Sequence, residues 1–375
     1  MSRSGLTFRA LIAVAAMAVL VSVALAQSTA PPVKKAEDEY MNIQVLKGVP
    51  ADQVVPAMQF ISNALNADCE FCHVRGSFDK DDKEEKKTAR EMIKMMNEIN
   101  KANFDGHKAV TCFTCHHGST NVANVPAIPD TEPKPPQPPV KPESLPAAQA
   151  LLDKYVAAVG GADALAKVKS RYQKGTMSGF GGRTMPVEIF AKAPDKRAAY
   201  VQMGQGANIT AFDGKNGWLG NPGRPARDMS PDEAAHAKMD ADLTFAADVK
   251  KMYTKFDVAP SDKVNGHDVW MVIARNEGQP PLRLYLDQQS GLLVRLQRYI
   301  ETPLGRNPTQ IDYDDYKDDG GVKVAQTWTV ARPQGRFTIK VDETKTNVDV
   351  DDAKFAKPAD APKPDAPKPA EGKKP

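Results

Sequence analysis

Residues 110–118 read VTCFTCHHG, placing two cysteines three positions apart and a histidine directly after the second. Residues 69–73, CEFCH, repeat the order C-x-x-C-H. The chain has four cysteines in 375 residues, and these two motifs use all of them. Two cysteines at that spacing lie on one helical turn and present both thiols to the same side. They can reach the two vinyl groups of one haem, and the imidazole that follows is directed at its iron. C-x-x-C-H is the attachment pattern of haem c.

A C-x-x-C pair alone is also compatible with zinc or with disulfide exchange. A zinc ribbon usually spaces its pairs by about 15 to 20 residues, whereas 39 residues separate Cys72 from Cys112. It would also leave the trailing His73 and His116 without a role. Two covalently bound haem c groups are therefore expected, held by Cys69, Cys72, Cys112 and Cys115, with His73 and His116 on the irons.

The amino terminus sets the compartment. Arg3 and Arg9 precede an apolar run from Ala10 to Leu25, and Ala24-Leu25-Ala26 has the small-x-small form of a cleavage site. Residues 1–26 read as a cleaved signal peptide, so the mature chain is expected in the periplasm, with membrane association left open. An uncleaved anchor is the alternative, but the run falls short of the ~20 residues of a spanning helix. Removing Arg3 and Arg9 takes the formal charge from +3 to +1, a balance that calls for no nucleic acid.

Residues 123–146, ANVPAIPDTEPKPPQPPVKPESLP, are too proline-rich for helix or sheet and read as a semi-rigid spacer. Residues 357–375 carry almost no large apolar side chains and read as a disordered tail. Two units remain, at 27–122 and 147–356, and the spacer is expected to let each fold alone.

In the first unit, PADQVVPAMQFISNAL puts Val54, Met58, Ile61 and Leu65 on one helical stripe, with Pro56 expected to bend the early turns. KKTAREMIKMMNEIN forms a second helix with a stripe of Ala89, Met92, Met96 and Ile99. The charged run 79–87, DKDDKEEKK, reads as a solvated loop before it. Met58, eleven residues before Cys69, faces the side a haem would occupy. In the second helix Met92, Met95 and Met96 are all candidates, and periodicity does not choose among them.

After the spacer, residues 144–168 read as a helix, a Gly160-Gly161 break and a short helix. From Arg171 onward the period is two, with stretches such as LRLYLD, VKVAQTWTV and RFTIKVDETKT separated by DGKNG, DQQSG and DDGG turns. Ten or more strands are expected in an extended antiparallel sheet, covered by the helices at 147–168 and 231–253.

The stretch MNIQVLKGVPADQVVPAMQFISNALNADCEFCHV, with KKTAREMIKMMNEINKANFDGHKAVTCFTCHHG, resembles the tetrahaem cytochrome c subunit of photosynthetic reaction centres. The likeness covers about 80 residues, including NIQVL, A-R-x-M and T-C-x-T-C-H. It implies Met58 on the first iron and Met92 on the second, with Met95 and Met96 packing around the porphyrin. Unlike that family's four-haem subunit, this chain has two motifs, which leaves His107 without a distant haem to serve and His117 exposed. The second unit resembles the outer-membrane lipoprotein carrier and sorting proteins, through LLDKYVAAVGGADAL, AFDGKNGWLG, LYLDQQSGLLVRLQ and VDVDDAKFAKP. That implies a half-barrel whose concavity can hold a hydrophobic ligand. The fold class expected is thus a small all-α haem c domain plus a mainly antiparallel β half-barrel with covering helices.

No cluster of His, Asp, Glu or Ser suggests a catalytic site, and His236 and His267 read as loop or surface residues. The function expected is one-electron transfer between membrane-associated redox proteins rather than an enzyme. Rival readings are a dihaem peroxidase-like enzyme with one open iron, and a lipid-binding protein whose haems sense redox state.

Overall fold

The structure, a computed structural model, describes residues 33–122, 144–179, 182–204, 206–261 and 263–357. The expected signal peptide, residues 123–143 of the expected spacer and residues 358–375 of the expected tail lie outside the described residues. Among the described residues no helix is long and apolar enough to cross a membrane.

The amino-terminal unit is helical: α1 (Ala36–Glu39), α2 (Val54–Leu65), α3 (Cys69–Cys72), α4 (Glu84–Asn103) and α5 (Cys112–His116). A 3-10 turn, Ala51–Gln53, leads into α2. Pro56 therefore sits in the first turn of α2, where no backbone N–H has an intrahelical partner, and the expected bend has no cause. The buried residues of α2 are Val54, Pro56, Ala57, Phe60 and Ala64; of the expected stripe Val54 is buried, and Met58, Ile61 and Leu65 are half-buried against the same core. In α4 the buried positions are Lys86, Ile93, Met96 and Asn100. Of the expected stripe, Met96 is buried and Ala89 and Ile99 are half-buried, while Met92 is 41% exposed.

The second unit starts with α6 (Ala148–Ala158) and α7 (Ala162–Ala166). Six strands follow: β1 (Ser170–Gly179), β2 (Arg183–Lys192), β3 (Lys196–Met203), β4 (Gly206–Phe212), β5 (Gly217–Asn221) and β6 (Arg224–Asp228). Two helices, α8 (Pro231–Ala241) and α9 (Phe245–Met252), lead to β7 (Lys255–Pro260), β8 (Val269–Arg275) and β9 (Leu282–Asp287). The last strands are β10 (Leu293–Thr302), β11 (Gly305–Asp319), β12 (Val322–Arg332) and β13 (Gly335–Thr346).

All thirteen strands form one antiparallel sheet in the order β6-β5-β4-β3-β2-β1-β13-β12-β11-β10-β9-β8-β7. Every neighbouring pair is a sequence-consecutive hairpin except β1 with β13, which joins two meanders. The sheet is open, ending at β6 and β7. Its curvature follows from one helix: α8 touches β3, β4 and β5 as well as β10. In a flat sheet β3 and β10 would stand about 29 Å apart at ~4.8 Å per strand, far beyond the ~10–12 Å width of a helix. The sheet must wrap around α8, which makes the expected half-barrel. Leu152 of α6, Leu165 of α7 and Val249 of α9 pack on Val272, Leu284 and Leu296 to fill the other part of the concave side.

His236 on α8 is half-buried rather than a surface residue, and burial beside Arg298 pushes its pKa down to about 3. An imidazole with a folded pKa below its unfolded 6.5 keeps its contribution above pH 6.5 and loses it as pH falls toward 3. Replacing His236 with Gln is expected to flatten stability across that window. The check is urea midpoints from pH 7 to pH 4; parallel profiles for both proteins would contradict it.

The two units meet along a seam. Leu304, in the β10–β11 turn, is 2% exposed and belongs to the helical core with Phe60, Ala64 and Met96. Asn63 Nδ2 donates to Asn307 Oδ1 at 2.7 Å, Asn307 Nδ2 to the Pro56 carbonyl at 3.2 Å, and Lys108 Nζ to the Thr302 carbonyl at 2.7 Å. Gly305 faces the Phe60 ring, where an added Cβ would come within 2.3 Å of Cζ. Independence of the two units, expected from the spacer, takes no account of this shared packing.

Candidate functional site

Each attachment motif is a single helical turn fixed by a capping side chain. Asp68 Oδ1 accepts from the Phe71 N–H at 2.9 Å, and Thr111 N–H donates to Thr114 Oγ1 at 2.9 Å. The caps satisfy backbone donors that such short helices would otherwise leave open. None of the four cysteines is in a disulfide; Cys69 and Cys115 are exposed, Cys72 and Cys112 half-buried.

The two histidines are held alike. His73 Nδ1 lies 2.8 Å from the Phe78 carbonyl, and His116 Nδ1 lies 2.9 Å from the Ser119 carbonyl. A carbonyl only accepts, so each Nδ1 carries a proton, and in the neutral ring Nε2 then holds the lone pair. An imidazole fixed by a backbone carbonyl at one nitrogen is the form that binds a metal through the other. Burial also holds His73 below the ordinary imidazole pKa, so it is neutral near pH 7. His117 differs: its Nε2 bonds the Thr114 carbonyl at 2.8 Å. That geometry separates the adjacent His116 and His117, which composition could not.

The charged run before α4 has a role that its composition hides. Lys86 is buried, and its Nζ donates to the carbonyls of Phe78, Asp79 and Lys80 at 2.9, 2.9 and 2.7 Å. The Phe78 carbonyl thus takes both Lys86 and His73. Asp81 accepts from Lys86, Arg90 and Asn42, and these donors hold its carboxyl well below the usual range. Within residues 79–87, Asp81 and Lys86 clamp the His73 loop, while Lys80, Asp82, Glu84, Glu85 and Lys87 are exposed in the loop that leads into α4 and in its first turn. The only sequence signal was Arg90 in A-R-x-M.

Helix α2, with Met58, packs on α5, where the Gly118 N–H donates to the Ala64 carbonyl at 2.9 Å. Helix α4, with Met92, packs on α3. Met58 is half-buried against the helical core, Met92 and Met95 are exposed, and Met96 is 6% exposed within the core. His107 is exposed.

The donor set does not suit zinc or a redox dithiol. Among the described residues no three His, Cys, Asp or Glu side chains cluster as metal ligands. Burial pushes the Cys72 and Cys112 thiols up, whereas thiolate chemistry needs them lowered. Haem c fits. Phe78, Phe113, Met92 and Met95 form exposed apolar surface near the motifs, 55%, 53%, 41% and 50% exposed. A porphyrin face would cover surface of that kind.

Residues 9–152 match the family of the photosynthetic reaction centre cytochrome C subunit. Cytochromes of this class imply covalently bound haem c, in agreement with the two motifs. No curated protein matches the chain. Solved structures align with the β unit. A DUF1329 family protein from Desulfovibrio piger is 13% identical, covering 56% of this chain and 96% of its own, with a TM-score of 0.40. A LolA superfamily protein from Nitrosomonas europaea is 11% identical, covering 57% and 99%, with a TM-score of 0.39. A putative outer membrane lipoprotein-sorting protein domain from Vibrio parahaemolyticus is 13% identical, covering 55% and 94%, with a TM-score of 0.37.

Proposed function

We propose that the chain is an exported dihaem c-type cytochrome that carries single electrons between redox proteins at a membrane. The observation that carries this reading is the shared setting of His73 and His116, each with Nδ1 tied to a carbonyl and Nε2 free. Cys69 and Cys72 would hold one haem and Cys112 and Cys115 the other; when bound, haem c supplies a one-electron ferric/ferrous couple. The chain's own residues orient the imidazoles, cover the porphyrin faces with apolar side chains and keep water from them.

In this reading Met58 would join Cys69, Cys72 and His73 in holding one haem, and Met92 would join Cys112, Cys115 and His116 in holding the other. Packed helices run about 8–10 Å apart, too close for a macrocycle between them. The directly packed pairs, α2 with α5 and α4 with α3, are thus unsuited to flank a haem. That supports pairing Met58 with His73 and Met92 with His116.

The difference between the methionines favours a second reading. Met58 is braced by core neighbours and Met92 is not, so the second iron is the easier one to open, as a peroxidase-like enzyme would need. A reduced-minus-oxidised spectrum with added carbon monoxide separates the two: no change supports the carrier, and a shifted Soret band supports the enzyme. Acid-acetone extraction should leave two haems per chain with the protein; free extraction, or zinc in their place, would end both readings.

Lys86→Met tests the clamp. Without the lysine, the Phe78 carbonyl is free to accept more strongly from His73, which makes the imidazole a better donor to ferric iron. A buried positive charge is lost as well. Both effects predict a lower midpoint potential for one haem, with a stability loss of about 1–3 kcal/mol from unmade hydrogen bonds. An unchanged potential in a folded variant would remove Lys86 from the redox site.

A further inference from the structure

An antiparallel sheet built from hairpins sends its turns alternately to its two ends. In this sheet the turns after β1, β3, β5, β8, β10 and β12 share one end, and the turns after β2, β4, β7, β9 and β11 share the other. The two ends differ in charge. Every turn of the second group has an aspartate in it or beside it: Asp195, Asp213, Asp268, Asp287 and Asp319. The first group carries exposed arginines instead: Arg183 after β1, Arg224 after β5, Arg306 after β10, and Arg332 with Arg336 after β12. Among the described residues the carboxylates at these turns are Glu277 and Glu301, and Glu301 is already bound by Lys108 and Arg306.

Two of the arginines have counter-charges, Arg306 in Glu301 and Arg332 in Asp240. Arg183, Arg224 and Arg336 form no hydrogen bond or ion pair among the described residues. Arg336 on β13 and Arg183 on β2 are two strands apart along the sheet, about 10 Å at ~4.8 Å per strand. Four strands separate Arg183 from Arg224 on β6, about 19 Å on the same spacing. Between those two, in the turn after β3, Met203 is 39% exposed. The haem unit sits at the same end, because Leu304 in the turn after β10 enters its core.

Three solvated cations on separate hairpin tips make no pocket. A folded acidic partner would have to place a carboxylate opposite each tip, whereas lipid headgroups diffuse sideways to meet them. A bilayer therefore needs no match to the uneven spacing, and a methionine level with the guanidinium groups suits the boundary between headgroups and acyl chains. The contrast between the arginine and aspartate ends also turns the arginine end toward an anionic surface. We propose that this rim docks the protein on an anionic phospholipid bilayer, with Arg183, Arg224 and Arg336 on lipid phosphates. The docking surface goes beyond the electron-carrier reading and does not rest on it, so its failure would leave the haem motifs untouched.

The test mixes the full-length haem-loaded protein with vesicles of phosphatidylcholine, alone or blended with phosphatidylglycerol, and reads the bound fraction by flotation. Binding to the phosphatidylglycerol vesicles is expected at low ionic strength, at least about tenfold tighter than to phosphatidylcholine, and should fall as salt screens it. A basic side chain near an anionic leaflet contributes a factor of about five. Arg183→Gln, Arg224→Gln and Arg336→Gln should thus each weaken binding about fivefold, and the triple variant about a hundredfold. All three positions are exposed, so the variants should fold. Lys215→Gln, exposed in the turn after β4 at the aspartate end, removes the same charge and should change binding by less than about twofold. A loss from Lys215→Gln as large as from the arginine variants would show that net charge alone acts and overturn the rim. Equal binding to both kinds of vesicle would overturn headgroup recognition. Soluble polyaspartate binding as tightly as the vesicles would assign the arginines to an acidic protein and overturn the bilayer. No binding to phosphatidylglycerol vesicles would overturn the docking surface outright.

Discussion

Met58→Ala is expected to turn a protein that ignores carbon monoxide into one that binds it at one of two haems. The methionine thioether is a soft ligand that favours ferrous iron, and alanine leaves that position open. Met92→Ala should open the other iron. Met58→His should stay six-coordinate but lose the soft-ligand bias, lowering its potential by on the order of 0.1 V within the ~0.8 V that axial ligands span. Met96→Ala, at a site 6% exposed, should cost about 2–5 kcal/mol with both irons still closed. Met95 is 50% exposed, so its alanine variant should change stability little. The outcome that would sink the assignment is an open iron in Met95→Ala and a closed one in Met92→Ala.

Leu304→Ala should destabilise the haem unit although Leu304 belongs to the β unit. The side chain is 2% exposed among Phe60, Ala64 and Met96, and its truncation leaves a cavity costing about 2–5 kcal/mol. The Soret-detected urea midpoint should fall together with the far-UV midpoint. Gly305→Val should be at least as damaging, because its Cβ cannot approach the Phe60 ring without displacing it. A fragment of residues 27–122 should take up haem poorly, since its Ala57–Phe60–Ala64 face would lie bare, whereas residues 144–357 should fold alone. Full haem content and unchanged stability in the short fragment would show that the seam is incidental.

Much of this was legible locally. C-x-x-C-H is a pattern within one helical turn, so spacing alone brings its cysteines and histidine together. The β unit announces itself by period-two alternation and by turns such as DQQSG at 287–291 and DDGG at 318–321, which lie between strands in the structure. Helix α2 lies where it was expected, and its expected stripe of Val54, Met58, Ile61 and Leu65 borders the core rather than filling its centre. Two apolar stripes run along it, and periodicity does not say which one meets protein. Leu46, Ile93 and Met96, together with Leu304 some 240 residues further on, form the core that Phe60 enters, with Met58 at its edge.

Sequence by itself determined the haem motifs, the division into a helical and a β unit, and the antiparallel class of the sheet, because each rests on contacts between near neighbours in the chain. Tertiary structure alone decided the rest. It buried Lys86 beneath the His73 loop, seated the β10–β11 turn in the helical core, and gathered Arg197, Arg298 and Arg332 from three strands under α8. Those contacts join residues far apart in the chain, and a charged side chain reads as solvated until the fold closes over it.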